Sequence, residues 1–194
     1  MTQLVRDSLM SLETYHKERP EFRKKALEHR RRRTVFIGPN VTLQFEDELT
    51  IRYQIQEMLR IEKTFDEEGI QDELDAYNPL IPDGTNLKCT QLIEFADPDE
   101  RKVALGKLVG LEHKTYVQVF GHEKVFAIAD EDLERSTEEK TSAVHFMRFE
   151  LTDEMIATLK AGAALAVGVD HPNYQHHVDE VDPETQVTLT ADLK

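Results

Sequence analysis

The segment Ser142-Ala-Val-His-Phe-Met-Arg-Phe-Glu-Leu151 alternates apolar and polar side chains, a period that fits an extended strand with one buried face. His145 then shares the inward face with Ala143, Met147, Phe149 and Leu151. A buried imidazole without a partner costs about 1–3 kcal/mol, so the interior must offer it a hydrogen bond or an ion. Arg148 lies on the opposite face with Phe146 and Glu150, which excludes a simple His145–Arg148 pair. The polar partner has to come from elsewhere in the chain.

The remaining pattern alternates between strand and helix periods. Thr34–Ile37 and Val41–Phe45 read as strands joined at Gly38-Pro-Asn40. Ile51, Ile55, Met58 and Leu59 stripe a helix over about 48–63, and Ile70, Leu74 and Tyr77 a second over about 66–77. Leu87, Cys89, Ile93 and Phe95 alternate onto one strand face, and Asp97-Pro-Asp99 opens a helix toward Leu108. Strands at 116–120 and 124–128 flank Gly121-His-Glu123 as a hairpin, and the charged segment 130–140 reads as solvated helix or loop. Thr152 opens a helix closed by Gly162, Ala164–Val169 reads as the last strand, and a short terminal helix starts near Pro183. The N-terminal stretch is helical with a break expected at Pro20. The expectation is an α+β fold, an antiparallel or mixed sheet covered by helices. A basic helical arm, residues 1–33, precedes a single domain over 34–194.

Charge divides the chain in the same place. Of the net −14 carried by 194 residues, residues 1–33 contribute +5, from ten Lys/Arg against five Asp/Glu, and the body carries −19. Phosphate repels such a body, which argues against nucleic acid as a partner. The arm, ending in Arg30, Arg31, Arg32 and Arg33, either lies on its own acidic body or docks an acidic partner protein. No apolar run reaches the roughly 20 residues that span a bilayer, and the first residues lack a signal-peptide core, so a cytoplasmic protein without membrane contact is expected. The single cysteine, Cys89, excludes an intrachain disulfide or a thiolate metal cage.

Phosphate loops, the Gly-x-Ser-x-Gly elbow, Cys-x-x-Cys and the dinucleotide fingerprint are missing from the sequence. The remaining chemistry is imidazole and carboxylate. His145 is either a core histidine held by an acceptor or a metal ligand oriented through its other nitrogen. Asp170 and His171, just past a buried strand, are either a turn cap with its neighbour or further ligands. Glu57 and Glu62 edge the stripe of the 48–63 helix, where they either pair with arginine or supply oxygen ligands. The expected metal set is His145, His171 and Asp170 with Glu57 or Glu62, holding a divalent ion such as iron or zinc. The same pocket also serves a second reading, a metal-dependent enzyme, and a third is a pure protein-interaction module whose polar residues are structural.

Three stretches together are similar to one family: Tyr53-Gln-Ile-Gln-Glu-Met-Leu-Arg60, Glu73-Leu-Asp-Ala-Tyr-Asn-Pro-Leu-Ile-Pro82, and Glu139–Phe149 with Gly168-Val-Asp-His-Pro172. The chain resembles the bacterial domain-of-unknown-function family 3501 over most of its length. That resemblance implies a setting near rubrerythrin-like and heterodisulfide-reductase-like iron–sulfur proteins, hence a redox or peroxide-stress role. With one cysteine the chain holds no iron–sulfur cluster of its own. The expected function is an accessory protein of such a system, with an iron–sulfur or rubrerythrin-like partner.

Overall fold

A computed structural model describes residues 3–133, 135–137 and 139–194. The fold is α+β, with two antiparallel sheets where the sequence suggested one. The first has the order β1 (Thr34–Ile37), β2 (Val41–Phe45), β3 (Asn86–Ile93), β7 (Val144–Glu150), β6 (Ile128–Ala129). The second runs β5 (Val125–Phe126), β4 (Thr115–Val119), β8 (Leu165–His171), β9 (Tyr174–Val178). The expected hairpin at 121–123 joins β4 to β5, but at Ala127 the chain leaves the second sheet and enters the first as β6.

Alternation explains why the sheets face each other. Leu43, Phe45, Leu87, Cys89, Met147 and Phe149 point from the first sheet into one core, and Val117, Val119, Leu165, Val167 and Val169 meet them from the second. Ile156 and Leu159 of α5 (Asp153–Lys160) and Leu189 of α6 (Pro183–Thr190) complete that core. Tyr174 ties the second sheet to the β1–β2 turn, its hydroxyl donating to the Ile37 carbonyl at 2.6 Å. The strand expected to be the last, β8, is followed by one more: after a turn at Pro172-Asn173, β9 pairs with β8, placing His176 opposite Val169 and His177 opposite Gly168.

A helical layer forms a second core. Ile51, Ile55 and Leu59 of α2 (Glu48–Glu62) pack with Ile70 and Leu74 of α3 (Glu67–Tyr77) and with Leu4 and Leu9 of the N-terminal segment. Asp47 and Asp66 cap α2 and α3 through their side chains, which sets the starts that the stripes predict. Helix α1 (Leu12–Arg31) lies against α2 and runs unbroken through Pro20. Proline removes one backbone donor there. Contacts on both sides keep the helix in register: Tyr15 and Arg19 bind Glu57 before it, and Phe22 and Ala26 pack after it. Helix α4 (Pro98–Lys107) starts at the capped Asp97, as expected. Among the described residues no helix is long and apolar enough to cross a membrane.

The arginine run is not one exposed patch. Arg33 is 1% exposed, paired with Asp192 and donating to the carbonyls of Phe45, Glu46 and Thr188. Arg30 is half-buried beside the first sheet, while Arg31 and Arg32 are exposed and Arg32 pairs with Glu28. Arg33 thus clamps the arm's end to the body and is unavailable to a partner.

Two stability outcomes follow from these contacts. Removing the Arg33 guanidinium strands buried Asp192, so Arg33→Ala is expected to cost about 3–5 kcal/mol by urea unfolding. Arg31→Ala, at an exposed position, is expected to stay within about 0.5 kcal/mol. The second concerns acid: the bidentate Arg19 outweighs burial and, with Tyr15 and Arg60, holds the Glu57 carboxyl at about 2 against its ordinary 4.5. That stabilisation is present above pH 4.5 and is lost as pH falls toward 2. An acid titration of unfolding should therefore be flatter over that window in Glu57→Gln than in the native chain.

Candidate metal centre

Antiparallel register builds this site. The pairing of β3 with β7 sets His145 directly opposite Gln91, both fully buried on the inward face. Strand β6 pairs with β7 on the other side, so the next residue, Asp130, arrives beside His145. Asp130 turns the chain out of the strand at φ 55°, a left-handed conformation that aspartate tolerates better than most residues. Its backbone N–H donates to the Phe146 carbonyl at 2.8 Å, and its Oδ2 lies 2.6 Å from His145 Nδ1.

Glu112 comes from the 3-10 turn Leu111–Lys114 between α4 and β4, opened by Gly110 at φ 83°. It is 2% exposed and accepts hydrogen bonds from Ser136 at 2.6 Å and Thr141 at 3.1 Å. Both hydroxyls come from the charged stretch after Asp130. Its described residues form a mostly exposed loop, one of the two forms the sequence suggested, from which Ser136 reaches in to the site with Thr141 just beyond. Thr141 also lies 2.8 Å from His145 Nε2, and Glu112 Oε2 lies 3.8 Å from the same nitrogen. Burial disfavours the ionised Glu112 carboxyl, but the Ser136 bond, a backbone N–H, His145 and Thr141 together hold it below the usual range.

Glu112, Asp130 and His145 place one donor atom each within 4.8 Å of one another. Two donors at about 2.0–2.2 Å from a shared ion lie at most about 4.4 Å apart, so small side-chain shifts seat all three on one cation. A buried and a half-buried carboxylate facing one imidazole also concentrate negative charge that Arg135, 3.4 Å from Asp130 and itself engaged by Asp132, only partly balances. The donor set therefore fits a divalent ion. The order Thr141–His145–Asp130 also has the spacing of a hydroxyl–imidazole–carboxylate relay. Thr141 is 1% exposed and held by Glu112 and Ser136, so no acyl group reaches its oxygen.

Of the five residues expected to hold the metal, only His145 lies in this cluster. His171 is buried on the second sheet, where Nδ1 accepts the Asn173 amide at 3.2 Å and Nε2 donates to the Val109 carbonyl at 3.1 Å. Its needs are met by backbone. Asp170 is exposed and pairs with Lys124 at 2.9 Å, whose ammonium lies over the Tyr116 ring. Glu57 is engaged by Arg19, Tyr15 and Arg60 in the helical layer, and Glu62 is exposed at the end of α2. Sequence reasoning missed Glu112 and Asp130. No periodicity marks a carboxylate in an isolated 3-10 turn, and the acidic context of Asp130 imitates a solvated loop. Gln91 was recoverable, since it falls on the alternating face between Cys89 and Ile93. Cys89 is inert core, its thiol pushed well up by burial and by Glu46.

The family model described as "Protein of unknown function (DUF3501)" matches residues 3–193. A crystal structure of a novel protein of unknown function from Burkholderia pseudomallei K96243 is 54% identical, with a TM-score of 0.95, the match covering 100% of each chain. No curated protein matches.

The shared hydroxyl gives a direct check on the network. Thr141→Val leaves Glu112 and His145 each short of a buried hydrogen bond and should cost about 1–3 kcal/mol in urea unfolding.

Proposed function

Since the chain belongs to the DUF3501 family of proteins of unknown function, we propose its role from the site: it binds one divalent metal ion through Glu112, Asp130 and His145. We place it as an accessory, non-cluster protein of a redox or peroxide-stress system. The observation that carries the metal reading is the convergence of one buried and one half-buried carboxylate on a buried imidazole. A donor set of one nitrogen and two oxygens suits iron(II), manganese(II) or zinc(II) over soft ions. When bound, the ion supplies charge neutralisation at the centre of the fold and a Lewis-acidic point between the sheets.

The chain's own residues do the rest. Ser136 and Thr141 orient Glu112, and without an ion Asp130 holds the imidazole through Nδ1. An ion held by Glu112, Asp130 and His145 would take the place of the proton between Asp130 and His145 and would join Asp130 to β7 and the 3-10 turn. The closed setting favours a structural or regulatory metal over the enzyme reading, which needs an accessible coordination position. Partner docking, if electrostatic, falls to exposed Arg31 and Arg32, with Arg33 committed to the body.

The test uses untagged protein stripped by chelator, then titrated calorimetrically with Fe(II), Mn(II) and Zn(II), with element analysis of the loaded samples. One equivalent is expected, with affinity lowered at least about tenfold in Glu112→Gln. Correctly folded protein that takes up no stoichiometric ion would overturn the proposal.

A further inference from the structure

Outside the metal cluster, the helical layer stands away from the outer face of the first sheet and leaves a cavity of about 730 Å³. One wall is the end of α3 and the turn after it, with Glu73, Tyr77 and Leu80. The other is β6 and β7, with Ile128, Phe146 and Arg148. A second hollow of about 190 Å³ shares Tyr77, Leu80 and Phe146 with it, so the crevice continues along the sheet toward Gln44 and Thr90. These volumes are those of a small-molecule site, and the aromatic and aliphatic walls suit an apolar body.

The polar groups of this crevice are unequally satisfied. Arg148 is forked onto Glu131 and also held by Glu150. Arg135 is bidentate to Asp132 and stacks over the Phe146 ring at 4.7 Å, and Lys88 donates to the Pro79 carbonyl at 2.7 Å. Glu73 is the exception. The half-buried side chain lines the crevice, neither of its carboxylate oxygens has a hydrogen-bond partner among the described residues, and Oε2 is closed to solvent. Burial, then the like charges of Glu62 and Asp72, push its carboxyl above the ordinary range. A half-buried carboxylate without a donor is costly, and an ammonium seated against its crevice side would offset that cost where an anion would worsen it.

We propose that the crevice between α3 and the first sheet is a binding site for a small organic cation, an ammonium group carried on an apolar or aromatic body. Glu73 takes the ammonium, while the faces of Tyr77 and Phe146 and the side chains of Leu80 and Ile128 take the body. This goes beyond the metal reading and does not depend on it. The two sites are nonetheless neighbours: Phe146 adjoins His145 on β7, and Arg135 touches Asp130.

The probes are 2-phenylethylamine and 3-phenylpropionate, matched in shape and opposite in charge, titrated by ligand-observed NMR and calorimetry into the full chain in excess chelator. The amine is expected to bind and the carboxylate to bind at least about tenfold more weakly. Glu73→Gln, which keeps size and polarity, should lower amine affinity about tenfold or more, and Ala76→Phe, which fills the cavity from α3, should abolish it. Near-UV circular dichroism checks that both variants fold. Equal binding of the two probes, no amine binding at millimolar concentration, or undiminished binding by folded Glu73→Gln would each overturn the proposal. Because chelator is present throughout, failure here is separate from failure of the metal titration.

Discussion

The antiparallel ladder between β3 and β7 is the contact on which the molecule's organisation depends. It pairs Asn86 through Leu92 with Glu150 through Val144, and it lies at the heart of the first sheet. Its inward side chains supply the core shared with the second sheet, and its outward ones floor the crevice under the helical layer. A slip of β7 by one residue in this register would carry His145 to the outer face, away from Gln91, and reverse every apolar position of that strand with it. The hydrophobic pattern of both strands therefore enforces the placement of the polar pair.

Around that ladder the protein spends its polar groups unevenly. Arg33, Glu46 and Glu57 are buried or nearly so, and each is surrounded by partners that come from distant elements. Such groups join the layers, because losing any partner leaves a charge stranded out of water. At Glu112, Asp130 and His145 the hydrogen bonds are also made, yet two acids face one base. At Glu73 an oxygen has no partner among the described residues. Stability alone explains the first group. The other two are the places where we propose an added group, a divalent ion in one case and an organic cation in the other.

Asp130 links these regions in a way its place in the chain conceals. It follows a two-residue strand, adopts a left-handed backbone, and from there reaches His145 on the inner side while Arg135 connects it to the outer crevice. Left-handed backbone at a non-glycine residue is kept only where surrounding contacts over-determine it. Here these are the two bonds to the Phe146 backbone and the bond to the imidazole. Both proposed sites thus draw on Asp130 and Arg135 of the same short segment.

Local periodicity determined the helices over about 48–63 and 66–77, the strands that carry Leu43, Cys89 and His145, and the demand of that histidine for a buried partner, while the Asp97-Pro-Asp99 start marked the helix toward Leu108. It did so because burial on one side of an element writes a repeat of two or of 3.6 into neighbouring residues. Only the tertiary structure decided that there are two sheets, that α1 passes through Pro20, that Arg33 turns inward, and that Glu112 and Asp130, rather than Asp170 and His171, meet His145. Those outcomes depend on which residues far apart in the chain come to share space. A lone carboxylate in a turn carries no periodic mark of the imidazole it will face.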